Sequence, residues 1–388
     1  MTPLPAAADA DPALAAALVT VRRNIGAFGA AFPDDTTRDG RYPLRPAHER
    51  FAEGSNHGWT TSFWTGMRWL AWERTGDDVF RDAARRDSAD FQQRVHAGEG
   101  LETHDLGFLY TLSCVAHWRL LGDEGASKAA LVAADHLMHR FLEPAGIIQA
   151  WGHLSDPVQR GRTIIDSLMN LPLLTWASER TGDGRYADAA RRHARQLRDH
   201  IVRQDGSTFH TFYWDADTGA PLRGATEQGA GDDSCWARGQ AWGLYGFALS
   251  ARATHDRAML DAARRCAEYF VAHLPADRVP CWDLAYGGEA GALRDSSAAA
   301  IAASGLLELA ALDGGARSAS WSAEADGILS SLARHHTPAR PEDSDALLLH
   351  GVYDLPKGIG VDEGTLWGDY FYLEALMRRA TPGWRPYW

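Results

Sequence analysis

The chain of 388 residues predicts an all-α fold, a closed (α/α)6 barrel that spans residues 1–388 as a single domain. Three observations predict this fold. Apolar residues recur at three- and four-residue spacing along almost every long segment, which is typical of helices. A pair of helices joined by a Thr-Gly-Asp turn is repeated along the chain. Helices that are apolar all round alternate with helices that have one apolar face, and six such pairs can be counted.

The repeated turn is visible directly in the sequence. Residues 69–78 (WLAWERTGDD) are echoed by residues 175–184 (TWASERTGDG). In each copy the glycine predicts a left-handed end to the first helix, and the aspartate predicts a cap for the second. Such a turn joins two neighbouring helices through a short connection.

Six helices rich in aromatic and small residues are predicted to line the inside of the barrel. They begin near Trp59, Asp105, Asp166, Ser234, Ser296 and Thr365. Arginine- and alanine-rich helices lie between them, and residues 12–32 supply the helix that closes on the last inner one. An open helical solenoid would show repeats of nearly constant length. Here the spacing is uneven and insertions fall just before inner helices, which favours a toroid with a site in the loops at one end.

Composition and missing motifs exclude several classes of function. The net charge of −12 disfavours nucleic acid and anionic membranes as partners. There is no Walker loop, GxGxxG, GxSxG or HExxH motif, and the four cysteines lack metal-ligand spacing, so we predict no cofactor and no metal. No signal peptide or membrane-spanning run is recognisable. We therefore expect a cytoplasmic protein, either a monomer or a weak homo-oligomer.

Aspartates mark the starts of four inner helices: Asp105 in HDLGF, Asp166 in IIDSLMN, Asp233 in DDSCW and Asp295 in RDSS. In a toroid these helix ends open on the same face. Each aspartate fits the simpler interpretation of an N-cap, a position that prefers Asp and Ser. Carboxylates that converge on one cavity would behave differently, because like charges raise one pKa. They would then supply the acid and the base that proton-transfer catalysis requires.

The 15 tryptophans exceed what a core of this size needs. Trp69, Trp72 and Trp176 occupy helix-interior positions and are predicted to pack in the core. A second set is predicted to lie in loops around the site, where rings can stack on a flat ligand such as a sugar. It consists of Trp59, Trp151, the run 209–214, Trp242, Trp367 and Tyr370.

Arg238 is the one inner-helix arginine singled out by its neighbours. It lies four residues before Trp242, so both side chains share one helix face. A buried arginine must either be paired with an acid or bind an anionic ligand. The sequence leaves both possibilities open.

Together these motifs resemble one known family, the unsaturated glucuronyl hydrolases of glycoside hydrolase family 88. The resemblance rests on blocks that occur in family order from about residue 55 to residue 379. They are HDLGF at 104–108, IIDSLMN at 164–170, FH at 209–210, WARGQAW at 236–242 and WGDYFYLE at 367–374. The family implies an (α/α)6 barrel, in agreement with the six hairpins counted above.

The resemblance also implies a reaction. Enzymes of this family hydrate the C4=C5 double bond that polysaccharide lyases leave in the non-reducing-end uronic acid of glycosaminoglycan and related oligosaccharides. The products are 4-deoxy-5-keto-uronate and the remaining sugar, and the expected ligand is a short oligosaccharide such as a disaccharide. By position, Asp166 resembles the general acid/base and Asp105 the supporting carboxylate. The residues that resemble subsite residues are Trp59, His104, Trp151, His210, Gln228, Arg238, Trp242 and Tyr370. Of these, Arg238 and His210 are expected to face the uronate carboxylate or the developing charge.

Three other interpretations compete with this one. The related unsaturated rhamnogalacturonyl hydrolases share the barrel and the hydration but usually rely on one principal aspartate. A sugar 2-epimerase would need paired histidines, and a non-enzymatic helical scaffold would leave the loop tryptophans and Arg238 unexplained. Before Tyr370 the sequence has no basic, serine-rich cluster to recognise a sulfate, which leaves Lys357 as the one candidate for contact with a sulfated neighbouring sugar.

Overall fold

A computed structural model describes residues 11–289 and 291–388, so residues 1–10 of the predicted single domain lie outside the described residues. The inner helices are α2 (Thr61–Thr75), α4 (Leu106–Tyr110) with its continuation α5 (Ala116–Leu121), α7 (Leu171–Thr181), α9 (Ala237–Thr254), α11 (Ser296–Leu312) and α13 (Leu366–Ala380). The outer helices are α1 (Pro12–Phe28), α3 (Asp78–His96), α6 (Glu124–His139), α8 (Gly184–His200), α10 (Arg257–Ala272) and α12 (Gly315–His335).

The ring of inner helices is closed. Each inner helix packs against the next, and α13 packs against α2 to complete the circle. Helix α1 lies on α13 as the predicted closing element, and its Asn24 side chain donates to the Asp345 carbonyl over 2.7 Å. The predicted (α/α)6 barrel is therefore confirmed, with inner helices buried on nearly all sides and outer helices buried on one face.

The repeated turn has the predicted chemistry. Gly76 and Gly182 end α2 and α7 in the left-handed region, with φ of 69° and 76°. Asp77 and Asp183 then cap α3 and α8, each accepting a backbone N–H two residues further on. The hairpin of α9 and α10 uses His255 at φ 55° where these two have glycine. A short turn thus stabilises both helix ends at each of these three connections.

The predicted core tryptophans are buried. Trp69, Trp72 and Trp176 expose at most 8% of their surface. The same interior holds an ion pair between Arg68 of α2 and Asp87 of α3, and both side chains are almost wholly buried. The inner and outer layers are therefore joined by a paired charge as well as by apolar packing.

Short antiparallel strands precede the inner helices, and the sequence patterns did not predict them. They form a hairpin of β1 (Phe141–Leu142) and β2 (Ile147–Ile148), a sheet of β3 (Arg162–Ile164), β4 (Thr211–Trp214) and β5 (Pro221–Ala225), and a hairpin of β6 (Gly351–Asp354) and β7 (Ile359–Glu363). The run 209–214, predicted as loop, is largely β4. Its Phe212 and Trp214 are buried against each other, so they pack the sheet and do not face a ligand.

These strands gather at the end of the barrel where the inner helices begin. Strand β3 leads into a 3-10 segment (Ile165–Asn170) and α7, β5 leads towards α9, and β7 leads into α13. The predicted insertions before inner helices are confirmed. No helix among the described residues is both long and apolar enough to cross a membrane.

Substitution of Gly107 tests how closely the inner helices meet. A Cβ atom at this position of α4 would lie 2.2 Å from the Asn170 Cα and 2.4 Å from the Asn170 carbonyl oxygen. Because the obstacle is backbone, we expect Gly107→Ala to destabilise the protein by about 1–3 kcal/mol in thermal unfolding. Gly26→Ala, on the exposed face of α1 with open space around it, is the matched control and should gain up to about 1 kcal/mol. Equal melting temperatures for the two variants would contradict this packing.

Candidate active site

Two of the helix-start aspartates do not act as caps. Asp105 occupies the N-cap position of α4 and Asp166 lies in the first turn of the 3-10 segment, yet neither side chain accepts a capping hydrogen bond. Asp295 behaves differently, because it accepts from the Ser297 N–H over 3.0 Å at the start of α11. The cap interpretation therefore holds for Asp295 and fails for Asp105 and Asp166. The carboxyl groups of Asp105 and Asp166 are not used to cap a helix and can interact with other groups.

These two carboxylates converge on His104. The His104 Nε2 lies 3.3 Å from Asp105 Oδ1 and 3.6 Å from Asp166 Oδ1. Asp105 is fixed directly, since the Thr103 hydroxyl donates to its Oδ2 over 2.7 Å. Asp166 Oδ1 has no hydrogen-bond partner among the described residues, although it is buried. The Asp105 carboxyl group is thus held by a hydrogen bond, whereas Asp166 Oδ1 is not.

Burial and mutual repulsion separate the protonation states of the pair. Burial, and then the charge of Asp105, raise the pKa of Asp166 well above its ordinary value. Burial raises the pKa of Asp105 to about 6, opposed by the Thr103 hydrogen bond and the charge of Arg140. The pKa of His104 falls to about 3 because of burial and the nearby Arg140. Of the two carboxyl groups, Asp166 therefore has the greater tendency to keep its proton, while Asp105 ionises above about pH 6 and the imidazole is neutral.

Arg238 is paired within the protein. Its Nη1 lies 3.3 Å from Asp295 Oδ2 and also donates to the Val352 carbonyl, while Nη2 donates to the Tyr353 carbonyl over 2.7 Å and to Gln228 Oε1 over 3.2 Å. The sequence left pairing and anion binding open, and the structure shows the pairing. Arg238 thus holds the β6–β7 hairpin and the Gln228 side chain in place beside the site.

Two predicted platform residues, Trp59 and Trp151, lie half-buried at this end of the barrel. Trp59 stacks on Trp367 with ring centroids 5.2 Å apart, and its Nε1 donates to the Tyr353 hydroxyl over 3.0 Å. The Arg162 guanidinium covers one side of the Trp151 ring at 3.9 Å. Each indole is held by neighbours while part of its surface stays accessible.

His210 and Gln228 stand close to Arg238. The Glu227 N–H donates to His210 Nδ1 over 2.8 Å, so the ring proton of the neutral imidazole is on Nε2. Burial, then the charges of Arg238 and Lys357, lower the pKa of His210 to about 3. Because Gln228 Oε1 accepts from Arg238, its amide nitrogen remains a donor. The two residues offer neutral N–H groups rather than charge.

Trp242 and Tyr370 are placed differently from the prediction. Trp242 is 1% exposed and packs on Phe108 and Phe371. Tyr370 is fully buried, and its hydroxyl donates to Glu374 over 3.0 Å. Neither ring has a face open to solvent, because both fill the centre of the barrel beneath the site. They form its floor and not a stacking platform.

Several site residues escaped the sequence analysis. Thr103 could have been noticed as a hydroxyl two residues before Asp105. Tyr353 was not identified, and Asp295 was identified only as a helix-start aspartate. Both contact Arg238 across more than fifty residues of chain, a contact that no local pattern reveals. Trp236, whose ring lies 4.3 Å from the Arg238 guanidinium, was read only as part of a motif.

One group of described residues is compact enough to hold a metal ion. Ligand atoms of His104, Asp105 and Asp166 lie within 4.8 Å of one another. The same three residues form the pair and imidazole described above. Burial raises the pKa of Asp166, which favours its protonated form, and a protonated carboxyl is a poor cation ligand, so the arrangement fits proton transfer better. The absence of a metal remains a prediction.

Comparison with known proteins identifies the family. The sequence profile described as Glycosyl Hydrolase Family 88 matches residues 39–276, more than half of the chain. The chain belongs to this family. An unsaturated chondroitin disaccharide hydrolase from Streptococcus pyogenes serotype M1 is 42% identical, over 98% of this chain and 93% of the relative. The predicted family is confirmed, and the chain is a glycoside hydrolase.

Solved structures of family members share the architecture. The unsaturated glucuronyl hydrolase of Bacillus sp. GL1, described as responsible for glycosaminoglycan degradation, is 42% identical and superposes with a TM-score of 0.89, covering 95% of this chain and 96% of its own. A variant of the Streptococcus agalactiae unsaturated glucuronyl hydrolase, solved in complex with dGlcA-GalNAc6S, is 36% identical, with a TM-score of 0.84 and coverage of 100% and 99%. The names of these relatives favour the glucuronyl over the rhamnogalacturonyl interpretation.

The pKa of Asp105 predicts the acid side of the pH profile. Ionised Asp105 is needed beside protonated Asp166, so kcat/KM should fall about tenfold per pH unit as the pH drops below about 6. Thr103→Val removes the hydroxyl that stabilises the charged form, and we expect this variant to shift the limb to higher pH. An acid limb near 4 in the wild type, or no shift in Thr103→Val, would contradict the assignment.

Proposed function

We propose that this chain hydrates the C4=C5 double bond of a 4,5-unsaturated uronic acid at the non-reducing end of lyase-generated glycosaminoglycan or related oligosaccharides. The observation that carries the proposal is the pair itself: Asp105 and Asp166 have no capping role and converge on His104, and burial together with the charge of Asp105 raises the pKa of Asp166. The names of the family members and the disaccharide complex of the S. agalactiae relative support this substrate class.

Asp166 acts twice in the proposed reaction. Its proton is transferred to C4 of the enol ether, which leaves an oxocarbenium-like centre at C5 and an ionised Asp166. The Asp166 carboxylate then takes a proton from a water molecule as the water oxygen bonds to C5. The resulting hemiketal opens, releasing 4-deoxy-5-keto-uronate and the remaining sugar, and Asp166 is protonated again. No glycosyl-enzyme bond forms, so the spacing rule for retaining and inverting carboxylates does not apply.

Asp105 and His104 are proposed to keep the proton on Asp166 until the substrate accepts it. The charge of Asp105 raises the pKa of Asp166, so the proton stays on Asp166 until substrate accepts it. Its negative charge also stabilises the cationic centre that develops in the sugar ring. His104, whose pKa burial lowers to about 3, lies beside both carboxyl groups and does not compete for the proton of Asp166.

Recognition of the uronate is proposed to depend on neutral donors and aromatic surface. His210 Nε2 and the Gln228 amide can donate to the sugar carboxylate, while Trp59 and Trp151 offer flat surface. Arg238 contributes by holding Gln228, because both of its terminal nitrogens, Nη1 and Nη2, are already engaged within the protein. The prediction that Arg238 meets the carboxylate directly is therefore replaced by an indirect role.

We propose that the accepted disaccharides are not selected for sulfate. Lys357, the one candidate for sulfate contact, pairs with Asp354 over 2.8 Å, and Asp354 is buried. The ion pair reduces the positive charge offered to a neighbouring sulfated sugar. The cytoplasmic location and the monomeric or weakly associated state remain predictions.

The geometry gives the sugar 2-epimerase interpretation little support. That reaction requires histidines that accept and donate protons, whereas burial lowers the pKa of both His104 and His210 to about 3. His210 Nδ1 is also engaged by a backbone N–H. The carboxylate pair is the better base and acid at this site.

The loss of ultraviolet absorbance from the conjugated enol ether tests the function directly. We expect wild-type protein to remove this absorbance from unsaturated oligosaccharides of a panel made from hyaluronan, chondroitin, heparin and gellan, with sulfated products turned over no faster than unsulfated ones. Asp166→Asn should lower kcat at least about a hundredfold while the protein stays folded. Asp256→Asn, which alters the cap of α10 on the outer layer, should keep wild-type turnover. No absorbance loss with any product would contradict the proposed function.

Chelation tests the prediction that no metal takes part. Because proton transfer needs only the carboxylate pair, dialysis against a chelator should leave kcat and KM unchanged. A loss of activity that added divalent cation restores would instead place an ion among His104, Asp105 and Asp166.

A further inference from the structure

Asp166 needs an anchor that its own side chain does not provide. Its Oδ1 is buried without a hydrogen-bond partner among the described residues, whereas Asp105 is held by Thr103. A carboxyl that must lose and regain a proton gains from this freedom, but it must stay close to Asp105. Its position is therefore set by the backbone turn that carries it.

The next residue, Ser167, stabilises this turn with its side-chain hydroxyl. The Ser167 hydroxyl donates to the Ile164 carbonyl over 2.6 Å, which closes the turn around Asp166. Ser167 Oγ also lies 2.7 Å from His193 Nε2. Both residues are almost fully buried, with exposed fractions of 2% and 0%.

The protons of this chain of hydrogen bonds can be assigned without ambiguity. The Ile148 N–H donates to His193 Nδ1 over 2.8 Å, so Nδ1 is an acceptor and the ring proton of the neutral imidazole lies on Nε2. His193 Nε2–H then donates to Ser167 Oγ, and the single hydroxyl proton goes to the Ile164 carbonyl. Burial, and then His104, lower the pKa of His193 to about 3, so this arrangement persists at working pH.

The imidazole joins three parts of the site. His193 belongs to the outer helix α8, and Ser167 belongs to the 3-10 segment. Ile148 belongs to β2, just before the loop between β2 and β3 that carries Trp151. We propose that His193 is a positioning residue which, through Ser167, holds the turn bearing Asp166 at its working distance from Asp105. This inference rests on the proposed function, because it assigns Asp166 the acid/base role. His193 itself does not touch the reacting atoms.

Two substitutions remove this connection from opposite ends. Ser167→Ala deletes one hydroxyl, and His193→Phe keeps the ring volume but neither hydrogen bond. A misplaced catalytic group slows chemistry more than it weakens binding, so we expect kcat to fall about 10- to 100-fold with KM changed less than about twofold. The double variant should be no slower than the slower single one, because both break the same connection. His193→Gln keeps an N–H donor towards Ser167 and should recover part of kcat.

A matched pair exists away from the site. His117 Nδ1 lies 2.9 Å from Ser88 Oγ, and both residues are buried between α3 and α5. Ser88→Ala and His117→Phe should lower the melting temperature in the same way and leave kcat as in the wild type. Activity is measured by loss of enol-ether absorbance on the best substrate of the wild type, and folding by circular dichroism.

The possible outcomes distinguish a failure of the His193 inference from a failure of the proposed function. If Ser167→Ala keeps wild-type kcat while its stability falls as in Ser88→Ala, the hydrogen bond is merely structural and the inference is overturned. Additive losses in the double variant would show that His193 does not act through Ser167, which also overturns it. Failure of the proposed function would appear earlier, as a lack of turnover by the wild-type protein. Should His193→Phe fail to fold, Ser167→Ala alone still decides the question.

Discussion

The repulsion between Asp105 and Asp166 is the constraint on which the rest of the structure depends. Two carboxyls with raised pKa values, buried beside a neutral imidazole, destabilise the folded state, and each unit of pKa shift corresponds to about 1.4 kcal/mol. A small or loosely packed protein could not hold them there. The closed ring can, because both residues lie where inner helices begin, and those helices pack around a continuous aromatic core. Trp242, Tyr370 and Phe371 belong to this core and exclude water from beneath the pair.

Loops that carry site residues are held mainly by buried arginines that donate to backbone carbonyls. Arg94 donates to the carbonyls of Gly58 and Gly100. Gly58 directly precedes Trp59, and Gly100 lies four residues before His104. Arg140 holds the loop around Trp151 through the carbonyls of Gln149 and Gly152. The buried Arg238 and the half-buried Arg203 do the same for other loops. A guanidinium has five donors in a fixed plane, so one side chain can hold several carbonyls at once, whereas a lysine ammonium is a point charge. The abundance of arginine in this chain thus has a structural use that composition alone did not reveal.

A feature could be predicted from the sequence when residues close together in the chain determine it. The helices, the Thr-Gly-Asp turns and the role of Trp69 follow from local spacing and capping chemistry, and they were predicted. The convergence of Asp105 on Asp166 required the barrel, yet it could be expected because inner helices begin on one face. The short strands, the pairing of Arg238 with Asp295 and the burial of Trp242 could not be predicted. They depend on contacts between segments far apart in the chain, where local patterns carry no information.

The strongly acidic composition also acquires a mechanistic meaning. Long-range attraction cannot bring an anionic sugar to a protein of net charge −12, and the buried cations Arg140 and Arg238 are already paired with Glu102 and Asp295. Under the proposed function, binding must come from neutral donors and aromatic surface, which suits a short ligand with one terminal carboxylate. Such a ligand brings its own negative charge next to Asp166. Because a nearby anion raises the pKa of a carboxyl group further, binding of the substrate itself keeps the proton on Asp166 until C4 can accept it.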